Sequence, residues 1–91
     1  MSEVDELKQR IADLEWELML HQTGWARAPK EAMFRATDAS GFRCWYSKEP
    51  KPHDGKWWFK SGSFHEQCDT ITPPTDFRTT LEPRPVREAK S

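Results

Sequence analysis

The chain has 91 residues, which allows one small domain with little core to spare. Charged residues make up 32% of it, yet it holds five Trp and five Phe, so its scarce apolar material lies in aromatics and a folded part is expected. Fourteen basic residues against fifteen acidic ones leave a net charge of −1, which argues against general DNA binding, and no apolar run reaches the roughly eighteen residues of a membrane span.

The opening residues, MSEVDELKQR, are polar and acidic and lack the apolar stretch of a secretion signal. Residence in the cytoplasm is therefore expected, with both cysteines reduced. Residues 1–23 contain no Pro or Gly and are rich in Glu, Leu, Lys and Gln, which are good helix formers. Ser2 ahead of Asp5 supplies a cap signature, and Thr23-Gly24 a stop. Val4, Leu7, Ile11, Leu14 and Leu18 are spaced by alternating threes and fours, a heptad with Val4, Ile11 and Leu18 at a and Leu7 and Leu14 at d. Two β-branched residues at a with Leu at d favour two parallel strands. Glu3 would then face Lys8 of the partner, and Arg10 would face Glu15, each pair opposite in sign. A parallel homodimer through a coiled-coil-type helix is expected. The competing expectation is a surface helix packed on its own domain. Trp16, Met19 and Leu20 lie off the heptad seam and are expected to cover the following domain.

From residue 24 the pattern changes to short strands punctuated by turns. Glu31–Thr37 alternates loosely, Asp38-Ala39-Ser40-Gly41 is a turn, and Phe42–Ser47 is a strand with Phe42, Cys44 and Tyr46 on one face and Arg43 and Trp45 on the other. Lys48–Gly55, with two prolines and Asp54-Gly55, reads as a loop. Lys56–Lys60 and Phe64–Ile71 read as strands on either side of a Ser-Gly-Ser turn, and Asp76–Leu81 as a last strand or helical turn. The expected architecture is α+β: a dimerisation helix over 1–23, a small Trp-rich antiparallel sheet over 24–82, and a mobile charged tail over 83–91.

Three constellations could carry chemistry. Cys44, His53, His65 and Cys68 are zinc-ligating types, but their spacing lacks a paired hook and His65 and Cys68 would point to opposite faces of a strand, so no metal site is expected. Cys44 sits between large aromatics, a core environment and not an activated one. No Gly-rich loop supports an oxyanion or a phosphate, and neither catalysis nor a cofactor is expected. The aromatic and basic cluster is the most distinctive: Trp45, Trp57 and Trp58 interleave with Arg43, Lys56 and Lys60. Consecutive strand residues face opposite ways, so one face cannot bury both Trp57 and Trp58. We expect Arg43, Trp45, Lys56, Trp58 and Lys60 to form a surface for a partner or a ligand.

Residues 25–85 also carry a series of short motifs in order. These are Trp25-Ala26-Arg27-Ala28-Pro29, Ala36-Thr37-Asp38-Ala39-Ser40-Gly41, Trp45-Tyr46, Lys56-Trp57-Trp58-Phe59-Lys60-Ser61-Gly62 and Thr80-Leu81-Glu82-Pro83-Arg84-Pro85. This series resembles a pattern common in small phage and prophage accessory proteins of unknown function: a W-x-x-A-P opening, an A-x-D-x-x-G turn, a WY strand, a Trp-rich strand before Ser-Gly, and a closing S-L-E-x-R-P. Thr80 replaces the usual Ser, Phe77 stands where Trp is expected, and the heptad helix lies outside the pattern. The resemblance implies a phage-type protein acting in the cytoplasm of an infected bacterium, and it supplies no catalytic residues. The leading expectation is a non-catalytic protein that binds and modulates a host factor, such as a host protein of antiviral defence. The alternatives are a sponge that sequesters a nucleotide signal by Trp stacking, and a small structural or assembly part of the virion.

Overall fold

A computed structural model describes residues 2–87. It is α+β: one N-terminal helix followed by small antiparallel β-ladders. The chain divides into two units, one built from the helix through Arg27 with the segment from Pro85 onward, the other spanning Ala28–Arg84.

Helix α1 spans Glu3–Thr23. The Ser2 hydroxyl accepts the Asp5 N–H at 3.3 Å, and Glu3, Asp5 and Glu6 place negative charge where the first-turn amides are exposed. Gly24 ends the helix at φ 85°, a conformation that suits a residue without Cβ. A 3-10 turn, Trp25–Arg27, follows, with Trp25 buried. The helix has two unlike faces. Val4, Leu7, Ile11, Leu14 and Leu18 are all 55–59% exposed, an apolar stripe that runs the length of the helix. Asp13, Trp16, Met19 and Leu20 are half-buried on the other side, and the Arg87 guanidinium donates to the Asp13 carboxylate. Among the described residues no helix is long and apolar enough to cross a membrane.

The second unit holds six strands: β1 Phe34–Thr37, β2 Phe42–Tyr46, β3 Lys51–His53, β4 Lys56–Trp58, β5 His65–Thr70 and β6 Glu82–Pro83. A four-stranded antiparallel sheet runs β5-β2-β1-β6, and β3 and β4 pair as a separate hairpin. The Asp38–Gly41 turn joins β1 to β2. Gly41 is obligatory there: its φ is +96°, and a Cβ would fall 2.2 Å from the Ile71 carbonyl oxygen. That close approach lets the Ile71 N–H reach the Gly41 carbonyl at 2.8 Å, which fixes the far end of β5.

The loop expected over Lys48–Gly55 contains a strand. Asp54 and Gly55 have φ of 55° and 78°, the paired left-handed residues of a two-residue hairpin turn, and they return β3 onto β4. Pro52 is tolerated because this ladder has only two strands and Pro needs no inner donor. Asp76–Leu81 resolves as a 3-10 turn, Phe77–Thr80, capped by the Asp76 carboxylate on the Arg78 N–H.

The register sorts side chains onto two faces. Phe34, Ala36, Cys44 and Tyr46 share one, and Trp57, Phe77 and Leu81 close over it to form the core. Trp57 is the centre of this packing. Its ring meets Phe77 edge-on at 5.8 Å, and its indole N–H donates to the Thr37 carbonyl at 2.8 Å. Thr80 locks the same carbonyl region: its hydroxyl accepts the Thr37 N–H at 2.9 Å and donates to Phe77 O at 2.7 Å.

The opposite face carries Arg35, Thr37, Arg43 and Trp45. Arg35 is 2% exposed, lies 5.3 Å above the Trp45 ring, and forks onto both Glu82 carboxylate oxygens at 2.8 Å. Of the closing segment, Pro83 pairs with Phe34, the Arg84 N–H donates to Met33 O at 2.7 Å, and the Arg84 side chain donates to Pro29 O and Ala32 O. Residues 88–91 of the expected tail lie outside the described residues.

Glu82 receives both prongs of the Arg35 fork, so removing it withdraws a paired carboxylate from a buried cation. Glu82→Ala should cost about 3 kcal/mol in urea unfolding, whereas the double change Arg35→Met with Glu82→Leu should recover most of that loss. Equal losses in the single and double variants would contradict this account.

Candidate functional site

The structure separates the five residues expected to form one surface. Trp45 is 4% exposed beneath Arg35, and Arg43 is half-buried in a two-pronged pair with Asp69. Both are committed to holding the sheet. Lys56, Trp58 and Lys60 are exposed.

Strand alternation decides which tryptophan is available. Trp57 is turned into the core and is 7% exposed, so its neighbour Trp58 must face outward, and it is 58% exposed. The β3–β4 register then brings further residues to it. Lys51 lies opposite Trp58 and His53 opposite Lys56, so Lys51, His53, Lys56 and Trp58 share the outer face of the hairpin. The Trp58 indole N–H donates to the His53 carbonyl at 3.2 Å, and the His53 ring meets the Trp58 ring edge-on at 6.0 Å. These contacts fix the orientation of an exposed Trp that would otherwise be free to turn. Lys51 touches Glu49 at 3.0 Å, with the two side chains 76% and 51% exposed. An ion pair that open to water is worth below about 1 kcal/mol, so Lys51 can exchange partners. Lys51 went unnoticed in the sequence, and His53 was weighed only as a metal ligand, because their stretch read as a loop. The Asp54-Gly55 pair flanked by alternating residues was the signal for a hairpin.

Two hollows adjoin the hairpin. One, about 430 Å³, is lined by Lys56, Trp57, Trp58, Phe59 and Ser61 and holds no carboxylate. The other, about 460 Å³, lies between the turn residues His53 and Asp54 and the segment around Asp76 and Arg78. Its two carboxylates give it the opposite character, and the Arg78 guanidinium is occupied by Asp76 at 3.1 Å. Beside the first hollow, Phe59 stacks on His65 at 4.2 Å, with Tyr46 beyond.

The four candidate metal ligands stay apart. His53 belongs to the hairpin face, His65 to the Phe59 stack, Cys44 to the core face of β2 and Cys68 to β5. Among the described residues no group of three or more His, Cys, Asp or Glu side chains converges in a metal-binding arrangement. Burial pushes the Cys44 and Cys68 thiols up from their ordinary range, which keeps both protonated at neutral pH. Burial likewise raises the Tyr46 phenol.

No family model, curated protein or solved structure matches this chain.

Arg43 holds the Asp69 carboxyl below its ordinary value of 3.8 by donating to both oxygens. A depressed folded-state value contributes stability at neutral pH and loses it as pH falls through the carboxylate range. Asp69→Asn should therefore lower stability at pH 7 by about 1–2 kcal/mol and flatten the decline below about pH 4. Thermal melts of both proteins across pH 2–7 measure this, and parallel stability curves would show that the pair makes no such contribution.

Proposed function

We propose that this chain is a non-catalytic, phage-type interaction protein. In this reading it forms a parallel homodimer through α1 and presents two copies of the Trp58 face to a factor of the bacterial host, whose action it modulates against host defence. The single observation that carries the reading is the uninterrupted apolar stripe Val4, Leu7, Ile11, Leu14 and Leu18, each more than half exposed. One exposed apolar residue is ordinary, whereas five in heptad register along a helix are the surface a partner helix would cover.

Charge supports the choice of a second copy as that partner. Parallel pairing sets Glu3 against Lys8 and Arg10 against Glu15 on both sides of the seam. The half-buried residues Trp16, Met19 and Leu20 are on the other side of the helix, so the stripe is free of any duty to them. A host-directed role draws on the motif series over residues 25–85 that resembles small phage and prophage accessory proteins. The non-catalytic reading is supported by two thiols held in their protonated form and by the dispersal of the His and Cys side chains.

Light scattering should give a dimeric mass for the wild type and a monomeric mass for Ile11→Lys with Leu14→Lys, the β-unit's tryptophan spectrum remaining unchanged. Oxidation of a Leu7→Cys variant should give a cross-linked dimer, because parallel pairing sets each d position against its own copy. A monomeric wild type would refute the dimer, and a dimer that Leu7→Cys fails to cross-link would refute its parallel orientation. Tagged protein in infected cells should retain a host factor that Trp58→Ala releases.

A further inference from the structure

We infer that the outer face of the β3–β4 hairpin is a nucleotide site, with a base stacked on Trp58 and its phosphate held by Lys51 and Lys56. The inference rests on the reading that this face is the binding surface, and it names the ligand chemistry. Four observations lead to it.

The first is the composition of the face. Lys51, His53, Lys56 and Trp58 set one large flat ring amid nitrogen groups on the paired face, with Phe59, 41% exposed, next to it in the chain. Protein-contact patches concentrate aromatics and Arg around a dry centre and are depleted in Lys. An exposed Trp flanked by lysines is instead the arrangement that stacks a base and neutralises its phosphate.

The second is the local charge. Residues 48–60 contain Lys48, Lys51, Lys56 and Lys60 against Glu49 and Asp54, four positive and two negative, or +2, while the whole chain is −1. The hairpin and its margins are therefore locally basic in a chain that is acidic overall. That excludes a molecule coated by nucleic acid but suits a small anion or a short strand.

The third is the way the ring is held. The indole N–H is engaged by His53 O at 3.2 Å and an edge by the His53 ring, yet the side chain remains 58% exposed. A pre-oriented ring loses little freedom on stacking. The fourth is space of the right sign. The adjoining hollow of about 430 Å³ falls within the size range of small-molecule sites and is lined by Lys56 and Ser61 without a carboxylate. The neighbouring hollow of similar volume contains Asp54 and Asp76, which would repel a phosphate. The contrast directs the phosphate toward Lys51 and Lys56.

The chemistry is shared by free nucleotides and by the units of a single strand, and the experiment separates them. The full-length protein, labelled with ¹⁵N, is titrated with adenosine monophosphate, adenosine, inorganic phosphate and an eight-nucleotide oligoadenylate, while the Trp58 indole N–H is followed by NMR. The signal is assigned by its loss in Trp58→Phe. A shift that saturates with the monophosphate and is at least tenfold weaker with adenosine or phosphate alone supports a free-nucleotide site. Saturation by the oligonucleotide alone supports a single-strand site, whose affinity should fall with log salt at a slope of about −1.4 for two lysine contacts. In either case, read on the backbone amides of the hairpin, which every variant retains, Trp58→Ala and the double change Lys51→Ala with Lys56→Ala should each weaken binding at least tenfold, Trp58→Phe should retain most of it, and Arg78→Ala at the other hollow should leave it unchanged.

No saturating shift up to about 1 mM of any of these probes overturns the inference. If Trp58→Ala nevertheless releases a host protein in the pull-down, the face is a protein contact: the nucleotide assignment falls and the broader reading stands. If Trp58→Ala changes neither titration nor pull-down, both fall.

Discussion

The second unit depends on how its closing segment is tied back to its beginning. Arg84 is the tie. Its backbone N–H donates to Met33 O and its guanidinium to the carbonyls of Pro29 and Ala32, so the residues leading into β1 are bound by one residue from the far end of the unit. Two residues earlier, Glu82 receives the Arg35 fork, and Pro83 lies against Phe34. A strand of two residues has almost no ladder energy of its own. It persists at the sheet edge because a buried cation is paired with its carboxylate and the carbonyls ahead of β1 receive its neighbour's donors. Buried ion pairs add little stability over apolar replacements, but loss of one partner is costly, so such a pair specifies where the segment must lie more than it strengthens the fold.

This tie gives physical content to the motif series in the sequence. The Ala28-Pro29 opening and the Glu82-Pro83-Arg84 close are separated by most of the unit, yet they meet through hydrogen bonds. Their joint appearance in a sequence is a statement about closure of a small sheet. The same logic explains why Trp45 is not a surface residue. Arg35 needs cover on the side away from the core, and the Trp45 ring, opposite it in register, supplies that cover through its π-face. Arg43 is drawn inward in the same way by Asp69. Two residues that look like ligand-binding chemistry in the sequence are used to build the scaffold.

Much of the fold was legible because it rests on local rules. The cap at Ser2, the stop at Gly24, the heptad spacing, the Asp38–Gly41 turn and the alternation of Phe42–Tyr46 between two sheet faces are each fixed by nearest neighbours in the chain. What was not legible required partners distant in sequence. Pro52 made Lys51–His53 read as loop, because the rule against Pro in strands assumes a flanking strand on both sides, and only the pairing reveals that one side is empty. The fates of Arg43 and Trp45 likewise depend on Asp69 and Arg35, residues brought near by register. For the candidate site the outcome is divided: alternation alone required that either Trp57 or Trp58 face out, but choosing between them needed Phe77 and the Thr37 carbonyl to claim Trp57.

The scale of the hairpin face bears on why a second copy matters in the proposed function. One stacked ring and two lysines in open solvent form a small site, and small sites bind weakly because ordering costs consume much of the contact energy. Joining two such faces makes the second contact intramolecular, so a partner bearing two acceptors is held far longer than one face would hold it, with no new residue involved. A partner with a single acceptor gains nothing from the pairing. The chain places few apolar side chains in a narrow core and leaves five more exposed along α1, and in the proposed function pairing through that stripe would supply the affinity that a face of this size lacks.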